Sequence, residues 1–192
     1  RRTDLLTSGW PFRPDTKELR PVSSEDTLGS IVETIVNGQM TWEEGHVAAA
    51  QFYEKRGEWQ KVEKEYKALI NQIPLNVSAY LLLGRLYLRQ GRNQEAAGIL
   101  FASTKIEQTL FANRALGMLA LEPKDAIPFF EKAVALATET NDRAEVAFLL
   151  ADAYHRGNQR DRAVAQLQQV LQWDSSFAPA RRLLERINSN PQ

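Results

Sequence analysis

Apolar positions along this chain recur at spacings of three and four, not two. Leu28, Ile31, Val32, Ile35 and Val36 fall at i, i+3, i+4, i+7 and i+8, one face of a helix of about three turns that Ser24 would cap and Gly38 would end. Thr41 followed by Glu44 has the capping-box spacing, and the helix it opens runs to about Arg56, before Gly57. The same periodicity predicts helices near 42–56, 59–72, 77–89, 93–106, 110–121, 125–138, 142–156, 159–172 and 177–188. No comparable window alternates with period two, so the expected class is all-α. Residues 1–23 differ. They hold three prolines and no sustained pattern, which predicts an extended segment, although Leu5, Leu6, Trp10 and Phe12 make it unusually apolar.

The helical pattern itself repeats. Ala50, Tyr53, Gly57, Val62, Tyr66 and Pro74 return with their mutual spacing unchanged as Gly84, Tyr87, Gly91, Ala96, Leu100 and Gln108, so the offset from Ala50 to Gly84 is a period of the chain. A further copy holds Ala151, Tyr154, Ala163, Leu167 and Ser175, with Gly157 one place early in its turn. Between them Ala126, Phe130 and Ala133 keep the second-helix spacing, after a turn that is about three residues shorter. A period combined with small residues where helices touch and aromatics or Leu where they interlock resembles the tetratricopeptide repeat, a helix-turn-helix family. The resemblance covers 43 to about 187.

It implies a right-handed α-α superhelix, a TPR-like solenoid of about four helix pairs with a flanking N-terminal helix and a C-terminal capping helix. A lone hairpin cannot bury its apolar face, so each copy must dock on the next. The expected organisation is a single repeat domain over 24–192, with repeats at about 43–76, 77–110, 111–143 and 144–177 and a cap helix at 178–189. Residues 24–37 would either close the front or be the second helix of a worn first repeat. At the back, Phe177, Leu183, Leu184 and Ile187 would face inward, with Arg181, Arg182, Glu185 and Arg186 in water. In the third repeat Asp125 is expected to cap a late-starting helix with Pro128 in its first turn, and the first helix is nearly apolar all round, as in helices that are buried or bind a partner.

The resemblance also implies where function sits. The first helix of each repeat lines the inner groove in this family, which carries the groove over to Gln51 and Lys55, then to Leu81, Arg85, Leu88 and Arg89, and finally to Leu119, Phe148, Asp152, His155 and Arg156. Leu81, Leu88, Leu119 and Phe148 would anchor apolar groups while the arginines pair with carboxylates or carbonyls. The Lys and Asn clamp that holds acidic chaperone tails is absent, since Val47, Gln51, Leu82, Ala112 and Leu116 stand at its positions. The implied function is a non-catalytic protein-interaction scaffold for a peptide or partner surface. The alternative is a docking part of a larger enzyme or membrane-anchored assembly factor, whose other parts would lie upstream of Arg1.

Composition narrows this further. Twenty-four basic and 24 acidic side chains leave no net charge, so the pull toward a phosphate backbone is missing and nucleic acid is not expected. There is no Cys, the two histidines sit in no HExxH spacing, and no Gly-rich phosphate loop occurs, so neither enzyme chemistry, a metal nor a cofactor is expected. Glu43 and His46 stand three apart on one helix, as do Asp152 and His155; the former pair is read as packing, while His155 is a candidate ligand contact. The longest apolar runs fall well short of the roughly 20 residues that span a bilayer, so direct membrane insertion is not expected and the compartment stays open. A homo-oligomer through the third repeat's apolar helix is a further expectation.

Overall fold

The computed structural model describes residues 28–189, and within them every regular element is a helix. The extended segment 1–23, its Leu5, Leu6, Trp10 and Phe12, and the Ser24 cap lie outside the described residues. Contacts between Cα atoms separate two compact units, one ending at Ile106 and the other beginning at Glu107.

Unit 1 holds α1 (Leu28–Val36), α2 (Trp42–Lys55), α3 (Trp59–Gln72), α4 (Val77–Arg89) and α5 (Asn93–Ile106), each packed on the one before it. Thr41 and Glu44 form the full capping box at the start of α2, and the Asn76 side chain accepts from the Ala79 amide to start α4. Unit 2 holds α6 (Leu110–Leu119), α7 (Pro123–Leu136), α8 (Thr140–Arg156), α9 (Arg160–Trp173) and α10 (Ala178–Ser189), again packed in sequence, with α10 also touching α8. The turn into α8 is closed by Arg143, whose Nε and Nη2 donate to the Ala137 carbonyl at 3.1 and 2.8 Å.

Within each repeat a small residue of the first helix faces a large one of the second. A β-carbon built on Gly84 would lie 2.5 Å from Leu100 Cδ2, and one on Gly117 would lie 2.6 Å from Phe130 Cε1. Ala50 and Tyr66, then Ala151 and Leu167, occupy the same register, and all four are buried. The third repeat therefore keeps the crossing, but its spacing from small to large residue is three shorter than in the others.

The expected short turn is not where the loss falls. All four connections inside repeats are three residues long, at 56–58, 90–92, 120–122 and 157–159. The first helix is trimmed instead: α4 runs five residues beyond Gly84, whereas α6 stops two beyond Gly117. Nor does Asp125 cap the second helix. The cap position is Glu122, which makes no side-chain bond; Pro123 is the first helical residue, where its missing amide hydrogen is harmless. Pro128 lies inside α7 and is exposed, so the carbonyl it leaves unpaired can meet water. In α6 the seven residues 112–118 are all buried, and Leu110, Phe111 and Leu119 are half-buried.

Gly57 and Gly91 take φ of +70° and +71° four residues after Tyr53 and Tyr87. In the last repeat the same place, four after Tyr154, falls to Asn158 at φ +57°, while Gly157 stays at −85°. An Asn tolerates this region better than most side chains but less well than glycine. Asn158→Gly should therefore stabilise the protein by up to about 1 kcal/mol, and Gly57→Ala or Gly91→Ala should destabilise it by about the same amount. Guanidinium unfolding curves read both signs.

Candidate interaction surface

In α4 only Val77, Ser78, Tyr80, Arg85 and Arg89 escape burial. Ser78, Arg85 and Arg89 fall on one side of the helix, at i, i+7 and i+11. Arg89 is held there: its Nη1 donates to Glu54 Oε1 on α2, and its guanidinium stands 5.3 Å from the Trp59 ring centroid. Gln51 is half-buried and Lys55 exposed on the same helix as Glu54. Leu81 and Leu88 are only 6% and 4% exposed and belong to the packed layer of unit 1.

In unit 2, Phe148, Asp152 and His155 line one face of α8 at i, i+4 and i+7, all half-buried. The Phe148 ring lies 5.6 Å from that of Phe177, tilted by 55°. Arg156 Nε donates to Asp152 Oδ2 at 2.9 Å. Leu119 is half-buried at the end of α6. Arg114 is nearly enclosed; its Nη2 lies 3.4 Å from Glu145 Oε2, and burial pulls its pKa down against the fields of Glu145 and Asp142.

The structure separates Glu43 from His46. His46 Nδ1 lies 2.8 Å from Glu65 Oε2 on α3, while Glu43 accepts from the Asn76 amide at the start of α4. Among the described residues no group of three or more His, Asp or Glu side chains could hold a metal ion, and no helix is long and apolar enough to cross a membrane.

Sequence reasoning missed two carboxylates, the half-buried Glu63 and the exposed Glu131, that join successive repeats. The Tyr87 hydroxyl on α4 donates to Glu63 Oε1 on α3 at 2.9 Å, and the Tyr154 hydroxyl on α8 donates to Glu131 Oε1 on α7 at 2.7 Å. In both cases a cation covers the ring, Arg92 at 4.2 Å and Arg162 at 5.7 Å from the centroids. Glu63 also accepts from Arg92 Nη1 at 2.6 Å and pairs with Lys67 at 2.6 Å. Burial and the bond to Glu131 push the Tyr154 hydroxyl up to about 12. The available signal was the tyrosine that follows the crossing residue by three, with a glutamate 24 or 23 places upstream.

Models of the tetratricopeptide repeat match residues 79–108 and residues 118–187, together just over half of the chain. The chain carries tetratricopeptide repeats and belongs to that family. No curated protein matches it by sequence. Solved structures resemble it in fold. A protein titled YrrB, "a TPR protein with an unusual peptide-binding site", is 18% identical, with 85% of this chain and 84% of that one covered at a TM-score of 0.69. MamA from Desulfovibrio magneticus is 18% identical over 78% and 85% of the two chains, at 0.66. A thermophilic TPR protein of Thermus thermophilus is also 18% identical, over 85% and 89%, at 0.53. The shared fold is an all-α, TPR-like helical solenoid.

The Arg92 guanidinium, with help from Lys67 and the Tyr87 hydroxyl, holds the Glu63 carboxyl at about 2, against a usual 4.5. Since the folded value is the lower one, the stabilisation is whole above 4.5 and drains away as the pH falls toward 2. Urea melts at stepped pH should show a steeper loss of stability across that window in the native sequence than in Glu63→Gln. At neutral pH that variant should already be about 1–2 kcal/mol less stable.

Proposed function

We propose that the chain is a non-catalytic scaffold that holds a peptide or a partner's surface against the first helices of its repeats. The observation that carries this reading is the strip on α4: a mostly buried helix leaves two arginines, Arg85 and Arg89, accessible on one side. In a repeat hairpin the second helix and the next repeat consume the apolar sides, so whatever stays polar and accessible on the first helix is what a partner meets.

In unit 1 the proposed contacts are Gln51, Lys55, Arg85 and Arg89, with Leu81 and Leu88 backing them from beneath. Glu54 presets Arg89 and leaves the rest of its guanidinium fork for a carboxylate or a main-chain carbonyl. In unit 2 they are Leu119, Phe148, Asp152, His155 and Arg156. There the Phe148–Phe177 pair offers an apolar anchor beside the Asp152–Arg156 pair, which suits a segment carrying one aromatic or aliphatic side chain and one charge. The peptide-binding site named in the YrrB title supports the same mode by analogy of fold.

Affinity capture with the full chain and with Arg85→Glu/Arg89→Glu tests the reading. Partners held by the native sequence and lost by the variant are expected, with the helical circular dichroism and melting temperature of the variant close to native. Identical captures from both would refute the strip as the binding element.

A further inference from the structure

The connection from α1 to α2 begins with Asn37 and Gly38, and no other asparagine of the chain precedes a glycine. Gly38 takes φ +70° and closes α1. Its N–H donates to the Ile35 carbonyl at 3.0 Å, the Gln39 N–H to the Thr34 carbonyl at 3.0 Å, and the Asn37 N–H to the Glu33 carbonyl at 2.9 Å. This is the pattern of a helix ended by a left-handed residue, a conformation that glycine reaches without steric cost. The turn therefore requires the glycine. It does not require the asparagine: the same turn closes α2 and α4 at Gly57 and Gly91, with Arg56 and Gln90 in the preceding place, and these hydrogen bonds all run between backbone atoms.

The pair carries a chemistry of its own. The Asn37 side-chain carbonyl carbon is placed to close a five-membered ring with the nitrogen of Gly38. When that nitrogen gives its proton to a base and attacks Asn37 Cγ, an N–C bond forms, the Cγ–Nδ2 bond breaks, and Nδ2 takes up a proton and leaves as ammonia. Water then opens the cyclic imide at one of its two carbonyls. One opening gives aspartate; the other gives isoaspartate, whose main chain runs through Cβ and Cγ. Glycine hinders the attack least because it has no β-carbon, and both residues are exposed, so base and water reach them. The other turns each lack one ingredient. Gln90 before Gly91 needs a ring one atom larger, and Asn158, though left-handed, is followed by Gln159, whose side chain crowds the nitrogen.

The fold holds this reaction back. The Gly38 nitrogen is engaged with Ile35, and Asn37 continues the helical hydrogen-bond ladder, so the turn must open before the ring can close. Opening is easy at this end. α1 has nine residues, of which Ile31 is the buried one, and a short helix with little buried surface frays readily.

We propose that Asn37 is a site of spontaneous modification, converting to isoaspartate as the last turn of α1 opens, and that the product cannot rebuild the turn. The inserted main-chain carbon puts the Gly38 and Gln39 N–H groups out of step with the Ile35 and Thr34 carbonyls. The new carboxylate stands at the negative end of the helix dipole. Both effects loosen α1 from its seat, where Ile35 lies against Gly45.

The test ages the full chain at mildly alkaline pH, native and in guanidinium, and follows each asparagine by peptide mapping with a fragmentation that separates isoaspartate from aspartate. Asn37 should exchange its amino group for a hydroxyl before any other asparagine, mostly as isoaspartate, and at least about tenfold more slowly folded than unfolded. Hydrogen exchange over residues 28–36 should then be faster in the aged chain than in the fresh one. Asn37→Gln, which puts at this turn the residue that α4 carries at its own, should fold normally, stay unmodified at this position and keep its exchange rates on ageing. Another asparagine converting first, or an Asn37 that stays intact in both states, overturns the proposal. Equal rates folded and unfolded overturn the gating by the turn, and equal exchange in aged and fresh native chains overturns the loosening of α1.

Discussion

The structure depends on one steric fit, a residue with little or no side chain on the first helix of each repeat facing a large residue on the second. Ala50, Gly84, Gly117 and Ala151 supply the gap; Tyr66, Leu100, Phe130 and Leu167 fill it. Dispersion falls steeply with separation, so a close crossing gathers many contacts that a wider one would lose. The fit also fixes the axial position of one helix against the other. It tolerates the loss of most of a turn elsewhere, as α6 shows, provided that the two crossing residues still meet.

A polar device works beside it. Tyr87 and Tyr154 each follow a crossing residue by three, and in both the ring packs while the hydroxyl reaches a glutamate on the preceding second helix, Glu63 and Glu131. A hydrogen bond to a carboxylate is directional where the apolar contacts are not, so it sets the angle between neighbouring hairpins. The third repeat has Ala120 at the corresponding place because its first helix has already ended.

Periodicity made the helices legible, since amphipathic spacing is a local property that survives without any knowledge of neighbours. The caps at Thr41 and Asn76 and the left-handed glycines at 57 and 91 were equally plain, because each is settled within a few residues. The third repeat was not. Counting between landmarks shows that the repeat is shortened but not whether a turn or a helix lost the missing positions, and Gly117 escaped notice because it comes one place short of a full period after Gly84. Family register placed the candidate site residues on the first helices of the repeats, yet the depth of Leu81 and Leu88 depends on what packs around them, which no single helix encodes. The pairing of Glu54 with Arg89, and the roles of Glu63 and Glu131, were missed for the same reason: the partners lie 23 to 35 residues away.

The enclosure of α6 has a kinetic corollary. With ten residues it is among the shortest of the described helices, and by length alone its amides would exchange with solvent rapidly through end fraying. With residues 112–118 buried, fraying would expose packed apolar surface, so exchange at those amides should be slower than the helix's length alone would give. A short helix thus becomes a slow clock for the opening of its surroundings.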